Sequence, residues 1–304
     1  MTNANYVLEV KNLSKNFKEK KVIDNASFAI NRNSIVGIIG KNGAGKTTLM
    51  RMIMGFLKAD KGEITVDGEK VSFGETSGKI AFMSDVPVFY DYMTACEYMK
   101  FVAELKGIEK TKISDVISKY LDAVGLVESK DKKIGGFSRG MRQRLGIAQC
   151  LIGNPSIIIF DEPMSALDPG GRAEVIEIMK RIKERTSILL STHLVSDIEK
   201  LCDDVIILEN GETKKMEKDR RENLFGKSKM IEISFDFQQE DEMNLLEEKL
   251  KNMGAECKKN GNELYVIDSN NIFLKEIYTY FSKESSLHYP VSIRSLSTNV
   301  EDLI

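Results

Sequence analysis

The chain has 304 residues, 42% hydrophobic and 30% charged, with a formal net charge of −2. This is the balance of an ordinary globular protein of one large or two modest domains, and it gives no reason to expect nucleic acid or another polyanion as partner. No apolar run approaches the roughly eighteen residues of a membrane span. The segment Met1 to Val10 has neither a basic start nor a long apolar core, so no secretory signal is expected there. Cys96, Cys150, Cys202 and Cys257 show no C-x-x-C spacing, which reads as reduced thiols and not as a disulfide framework or metal site.

Val7 to Phe17 and Val22 to Ile30 alternate as strands do. The apolar run Ile35 to Ile39 follows, then Gly40-Lys41-Asn42-Gly43-Ala44-Gly45-Lys46-Thr47, then a helical pattern from Thr48 to Met54. The octet fits G-x-x-x-x-G-K-[ST] at every required position, in the strand–loop–helix context that the pattern needs. Glycines 40, 43 and 45 let backbone N–H groups turn in around a phosphate chain, and the following helix points its positive end at the same anion. Lys46 is placed to reach β- and γ-phosphates, and the Thr47 hydroxyl to ligate Mg²⁺. The expected ligand is a nucleoside triphosphate, held by Gly40, Asn42, Gly43, Ala44, Gly45, Lys46, Thr47 and Thr48.

Further on, Asp67-Gly68 between two short strands within Glu63 to Val71 is a hairpin signal. Thr94 to Leu126 reads as helical. Phe137-Ser138-Arg139-Gly140-Met141 leads through Arg142-Gln143-Arg144 into a helical stretch, Leu145 to Leu151. The apolar run Ile157 to Phe160 ends in Asp161-Glu162-Pro163. Ser165-Ala166-Leu167-Asp168 comes soon after, and the strand pattern Ser187 to Leu190 runs into Ser191-Thr192-His193. Strands alternating with helices predict a parallel α/β core. The charged run Lys214 to Arg221 reads as a solvated helix or linker. Beyond residue 228 the pattern predicts a small βαβαβ module. Its strands are Ile231 to Phe237, Glu263 to Ile267 and Leu287 to Ile293; its helices are Glu240 to Met253 and Ile272 to Phe281. His288 there has no neighbouring His and reads as a surface or packing residue.

The order of these motifs resembles the ABC ATPase family over about residues 1 to 220: phosphate loop, signature loop at Ser138, Walker B strand, D-loop at Asp168 and switch histidine at His193. The signature F-S-R-G-M, in place of the commoner L-S-G-G-Q, looks like the branch that serves ABC-2-type exporters of drugs and antimicrobial peptides.

Asp161 ends a buried strand, where open α/β sheets place ligands, and a carboxylate there suits Mg²⁺. By resemblance Glu162 is the general base that polarises the attacking water, and His193 contacts the γ-phosphate. Phe17 stands where the family places an aromatic that stacks on adenine; a strand-end core residue is the alternative. Stacking without strict readout predicts that GTP also binds. Asp85 aligns with the coupling-loop Gln of many relatives, which touches Mg²⁺; a solvated turn acid is the competing reading. Met83, Met93 and Met99 suit core packing singly, and together with Phe89, Tyr90 and Tyr92 suit a groove for a membrane partner. The signature loop implies a dimer in which Ser138 and Gly140 of one subunit close on the other's γ-phosphate, with Asp168 at the seam. Lys130, Lys132, Lys133, Arg142 and Arg144 are expected to be mostly solvated, with some pairing to acids of the partner subunit.

The expected fold is α/β: a P-loop NTPase ABC cassette with a RecA-like core, an antiparallel β subdomain and a helical subdomain over residues 1–220. A linker follows at 221–228, then a small C-terminal α+β domain at 229–304. The expected activity is ATP hydrolysis with Mg²⁺, powering a separate transmembrane permease of an exporter. The chain is expected to form a homodimer, or a heterodimer with a second ATPase subunit, in the cytoplasm at the inner face of the membrane. An importer ATPase and a non-transport ABC ATPase are the alternatives. The C-terminal module is read as a packing unit, with a dimerising or regulatory role implied by resemblance only.

Overall fold

A computed structural model describes residues 5–18, 20–75, 77–165, 167–216, 229–236, 239–268, 273–283 and 290–296. The chain divides into two compact units. The first holds Met1–His193 and Asp197–Met216, and the second holds Leu194–Ser196 and Glu217–Leu303.

The first unit opens with β1 (Tyr6–Phe17) and β2 (Lys20–Asn31), paired antiparallel. β3 (Ile35–Ile39) leads into α1 (Lys46–Ile53), and β4 (Lys61–Val66) turns into β5 (Glu69–Lys70). Asp67 and Gly68 both take positive φ, 51° and 75°, as a two-residue type I′ hairpin requires. These strands make a four-stranded antiparallel sheet, β2-β1-β4-β5.

β6 (Ile80–Met83) precedes a helical region that is not continuous. α2 (Ala95–Leu105) starts at a capping box in which Thr94 accepts the Glu97 N–H and Glu97 accepts the Thr94 N–H. Gly107, at φ 70°, breaks the helical path before α3 (Ile113–Ala123). The single helical span expected from Thr94 to Leu126 is therefore two helices. α4 (Arg139–Leu151) begins directly at the signature loop, six residues earlier than the pattern had suggested, because Ser138 caps it by accepting the Met141 N–H at 3.2 Å.

β7 (Ile157–Phe160), α5 (Pro169–Ile182), β8 (Ser187–Ser191), β9 (Asp204–Glu209) and β10 (Glu212–Lys215) follow in this unit, which also holds α6 (Val195–Leu201) from Asp197 onward. The central sheet runs β10-β9-β3-β8-β7-β6, parallel from β9 to β6, with β10 antiparallel at one edge. Every residue of β3, β7 and β8 is buried, as strands covered on both faces must be, which is why β3 and β7 read as apolar runs and β8 as an apolar centre between two serines. Lys214 and Lys215, expected in a linker, instead pair in β10, where an edge strand tolerates charge. Residues 217–228 lie outside the described residues.

The second unit contains β11 (Lys229–Ser234), α7 (Glu240–Asn252), β12 (Glu256–Asn260), β13 (Glu263–Asp268), α8 (Phe273–Lys283) and β14 (Ser292–Leu296). Its sheet is antiparallel in the order β12-β13-β11-β14. The connectivity is βαββαβ, a ferredoxin-like arrangement, not the βαβαβ expected. The missed strand is β12, Glu-Cys-Lys-Lys-Asn, a charged edge strand with no apolar alternation. Its signal was the Gly261-Asn262 turn that joins it to β13, with Gly261 at φ 60°. The last strand falls at 292–296, later than expected, and Phe237, Leu287 and His288 lie outside the described residues. Ile231, Ile233, Leu264 and Val266 from the sheet pack on Met243, Leu246 and Leu250 of α7 and Ile277 and Phe281 of α8.

Candidate active site

The site assembles where β3, β7 and β8 end. After β3 the chain turns through residues 40–45 into α1, and two glycines there are sterically required. A Cβ on Gly40 would lie 2.4 Å from the Leu208 carbonyl oxygen, and Gly45, the residue before α1, takes φ 106°. No side chain caps α1 and no acid stands in its first turn, so its leading N–H groups face an anion position. Lys46 Nζ folds over the loop onto the carbonyls of Gly40 and Lys41.

One hydrogen-bonded chain joins three motifs. Thr47 Oγ1 donates to Asp161 Oδ2 at 3.3 Å. Ser191 Oγ donates to Asp161 Oδ1 at 2.6 Å and accepts the Glu162 N–H at 2.9 Å. His193 Nδ1 lies 2.8 Å from Glu162 Oε2. Glu162 holds φ 49°, a conformation that costs a non-glycine residue of order 1–3 kcal/mol. Its N–H bond to Ser191 helps to hold this backbone and so aims the side chain away from that of Asp161. Ser191 went unremarked in the sequence; its signal is a hydroxyl ending an apolar strand, which must find partners when fully buried.

Asp161 and Thr47 present two hard oxygens 3.3 Å apart, the donor chemistry Mg²⁺ takes when a site supplies few protein ligands and phosphates the rest. The residues present therefore fit that ion. Asp85 is exposed, and no hydrogen bond joins it to Thr47 or Asp161; it lines a cavity of about 90 Å³ with Arg139, Arg142, Gln143 and Pro163. Phe17 is 45% exposed at the end of β1, with Lys15 Nζ 5.6 Å from its ring centroid, so it is not a core side chain.

The signature loop lies open: Ser138 and Arg139 are exposed and Gly140 is half-buried. Behind it, buried Gln143 on α4 donates to the carbonyl of Pro163, next to Glu162. Asp168 caps α5 by accepting the Gly171 N–H at 3.0 Å. Two basic residues expected to be solvated or paired across a dimer are engaged within the chain. Arg142 pairs with Asp91 at 2.6 Å, and Arg144 Nη1 donates to the Val124 and Gly125 carbonyls at the end of α3. Lys130, Lys132 and Lys133 are exposed. Met83 and Met99 are buried, whereas Val86, Val88, Tyr90, Tyr92, Phe101 and Leu105 are exposed; Tyr90 stands 5.8 Å from Tyr92 and 6.0 Å from Phe101, centroid to centroid.

A P-loop, a strand-end acid pair and a histidine in contact with one of those acids, on a mixed α/β core, define a nucleotide-hydrolysing cassette. The ABC transporter family model matches residues 23–165. An uncharacterized ABC transporter ATP-binding protein, YxlF of Bacillus subtilis (strain 168), is 42% identical over 206 residues, covering 68% of this chain and 69% of that protein. The bacitracin transport ATP-binding protein BcrA of Bacillus licheniformis is 37% identical over 209 residues, covering 67% of each. A solved structure of an ATP-binding subunit of an ABC transporter superposes with a TM-score of 0.63 at 30% identity, covering 72% of this chain and 93% of that one. The chain belongs to the ABC transporter ATP-binding proteins and is an ATPase subunit of a transporter. Among the described residues no helix is long and apolar enough to cross a membrane.

Proposed function

We propose that this subunit powers export, working as a dimer on a separate permease. Two chains enclose two ATP molecules, each held between the P-loop of one chain and the Ser138–Gly140 loop of the other. The observation that carries the chemistry is the contact of Glu162 with His193 beside the P-loop. Mg²⁺, held by Thr47 and Asp161, would neutralise phosphate charge. Lys46 leaves the loop carbonyls for the β- and γ-phosphates, adding positive charge where negative charge develops. Glu162 accepts a proton from the attacking water and orients it. His193, touching Glu162 through Nδ1, presents the other side of its ring to the γ-phosphate. Phe17 stacks on the base.

The exposed aromatic patch around Tyr90 and Tyr92 is the docking face for the permease, which would hold the subunit at the inner face of the membrane. Contiguous exposed aromatics mark interaction surfaces. Tyr90, Tyr92 and Phe101 supply this face, while Phe89, expected in it, is buried with Met83 and Met99. The export reading rests on the F-S-R-G-M signature and on similarity to the bacitracin transport protein. The short α2 and α3, 11 residues each, argue against a DNA-maintenance ATPase, which would carry a long coiled coil between P-loop and signature.

Glu162→Gln tests the reading. The amide keeps the volume and loses the base, so phosphate release should fall ~10²–10⁴-fold while ATP binding persists. With cleavage blocked, MgATP should trap a dimer visible by size-exclusion chromatography. Near wild-type turnover would remove Glu162 as the base, and lost turnover without a dimer would remove the sandwich for the isolated subunit.

A further inference from the structure

The reaction above leaves one buried acid without a role. Asp197 lies in the first turn of α6, four residues after His193. Its side chain is 1% exposed, and beyond the adjoining Thr192 hydroxyl its carboxylate oxygens have no hydrogen-bond partner. The nearest guanidinium is that of Arg172 on α5, whose Nε stands 3.9 Å from Asp197 Oδ1 and also lacks a hydrogen-bond partner. That distance is too long for a hydrogen bond, so the two charges form an ion pair held short of contact. Burial, the largest influence, raises the Asp197 carboxyl above the usual range, opposed by Arg172, Lys200, His193 and the nearby Thr192 hydroxyl.

Position makes this pair more than a packing detail. Arg172 directly follows Gly171, whose N–H is capped by Asp168, so it moves with the D-loop. Asp197 belongs to the helix that follows His193, whose ring touches Glu162 at 2.8 Å. The pair thus spans the two segments that enter the site from α5 and from α6. A burial cost only partly compensated favours closure of the pair, by rotation of the Arg172 side chain or by a shift of one helix start towards the other.

We propose that Arg172 and Asp197 are positioning residues whose closure sets the His193 ring against Glu162 and makes hydrolysis respond to the Asp168 loop. This rests on the roles given above to Glu162 and His193. Neither residue touches nucleotide in this scheme, so the pair governs turnover and leaves affinity for ATP alone.

The test uses the full chain. Steady-state ATPase kinetics, ATP affinity and thermal unfolding are measured for Asp197→Asn, Arg172→Gln, their double variant and Asp197→Glu, with His193→Ala as control. Side-chain NMR of isotope-labelled histidine reads the ring directly, since the chain has only His193 and His288. Each single variant should lower kcat roughly three- to thirtyfold at near-constant ATP affinity. The double variant should lose no more than the worse single one, Asp197→Glu should recover part of the loss, and the His193 resonances should move in Asp197→Asn. Additive losses, or an unchanged kcat with unmoved His193 resonances, overturn the proposal. So does a lowered Tm with neither change, which marks a purely structural pair. Should Asp197→Asn fail to fold, Arg172→Gln, at the partly exposed end of the pair, is read by the same criteria. Normal turnover in His193→Ala would overturn the underlying role of His193. Lost turnover there, with Asp197→Asn unaffected, overturns this inference alone.

Discussion

Ser191 donates its hydroxyl to Asp161 Oδ1 at 2.6 Å, so a fully buried group on β8 aims the carboxylate that ends β7. Ser191 Oγ in turn accepts the Glu162 N–H, which fixes the backbone of the acid beside Asp161, while Asp161 Oδ2 accepts from Thr47. Ser191→Ala strips a partly buried acceptor and a partly buried donor of their partner at once. It should cost roughly 1–3 kcal/mol of stability, and it should lower turnover more than ATP affinity, because the acids are displaced while the P-loop is untouched. Denaturant unfolding and steady-state kinetics check both parts; an unaltered kcat would show that the acids hold their places without it.

Lys46→Ala should weaken ATP binding. Lys46 is the side chain folded across the loop at the phosphate position, held on the Gly40 and Lys41 carbonyls until an anion competes for it. Charge-assisted hydrogen bonds of this kind contribute roughly 1.5–3 kcal/mol, about a ten- to hundredfold change in affinity. Titration with labelled ATP measures it, and unchanged affinity would take Lys46 out of the site.

Cys150 predicts an alkaline limb in the stability profile. It is buried on α4, and burial pushes its thiol up to about 12 from an ordinary 9.0. Above pH 9 the unfolded chain releases this proton while the folded chain retains it, so the unfolded state binds fewer protons and stability falls as pH rises towards 12. Below pH 9 the term is constant. Cys150→Ala lacks this titration. Its stability deficit relative to wild type should therefore shrink between roughly pH 9 and 11. Thermal unfolding across that range checks it; a constant deficit would show that the thiol ionises as freely folded as unfolded.

A chain cut after residue 227 should remain a folded cassette that binds MgATP. All residues of the hydrogen-bonded chain from Thr47 to His193 belong to the first compact unit, which closes at Met216. The second unit has its own core. Folded protein without nucleotide binding would show that the first unit needs the second.

Where chemistry and fold are local, the amino-acid sequence was sufficient. The P-loop is legible because one octet contains the turn, the glycines, the lysine and the hydroxyl. The strands β3, β7 and β8 are legible because burial on both faces demands runs of apolar residues, broken in β8 only by a serine at each end, and the acids after β7 and the histidine after β8 inherit their places from those ends. The Asp67-Gly68 hairpin is legible because positive φ at two successive positions selects those residues. Tertiary structure decided whatever depends on partners distant along the chain. β12 is recognisable as a strand only through its pairing with β13, since an edge strand can be charged throughout. Arg142 and Arg144 look alike in sequence, yet one finds Asp91 and the other two carbonyls ending α3. Asp168 looks like a seam residue and serves as a helix cap in the isolated chain. Ser191 and Asp197 are unremarkable hydroxyl and acid until folding buries them, and burial is what turns a polar side chain into one that must have a partner.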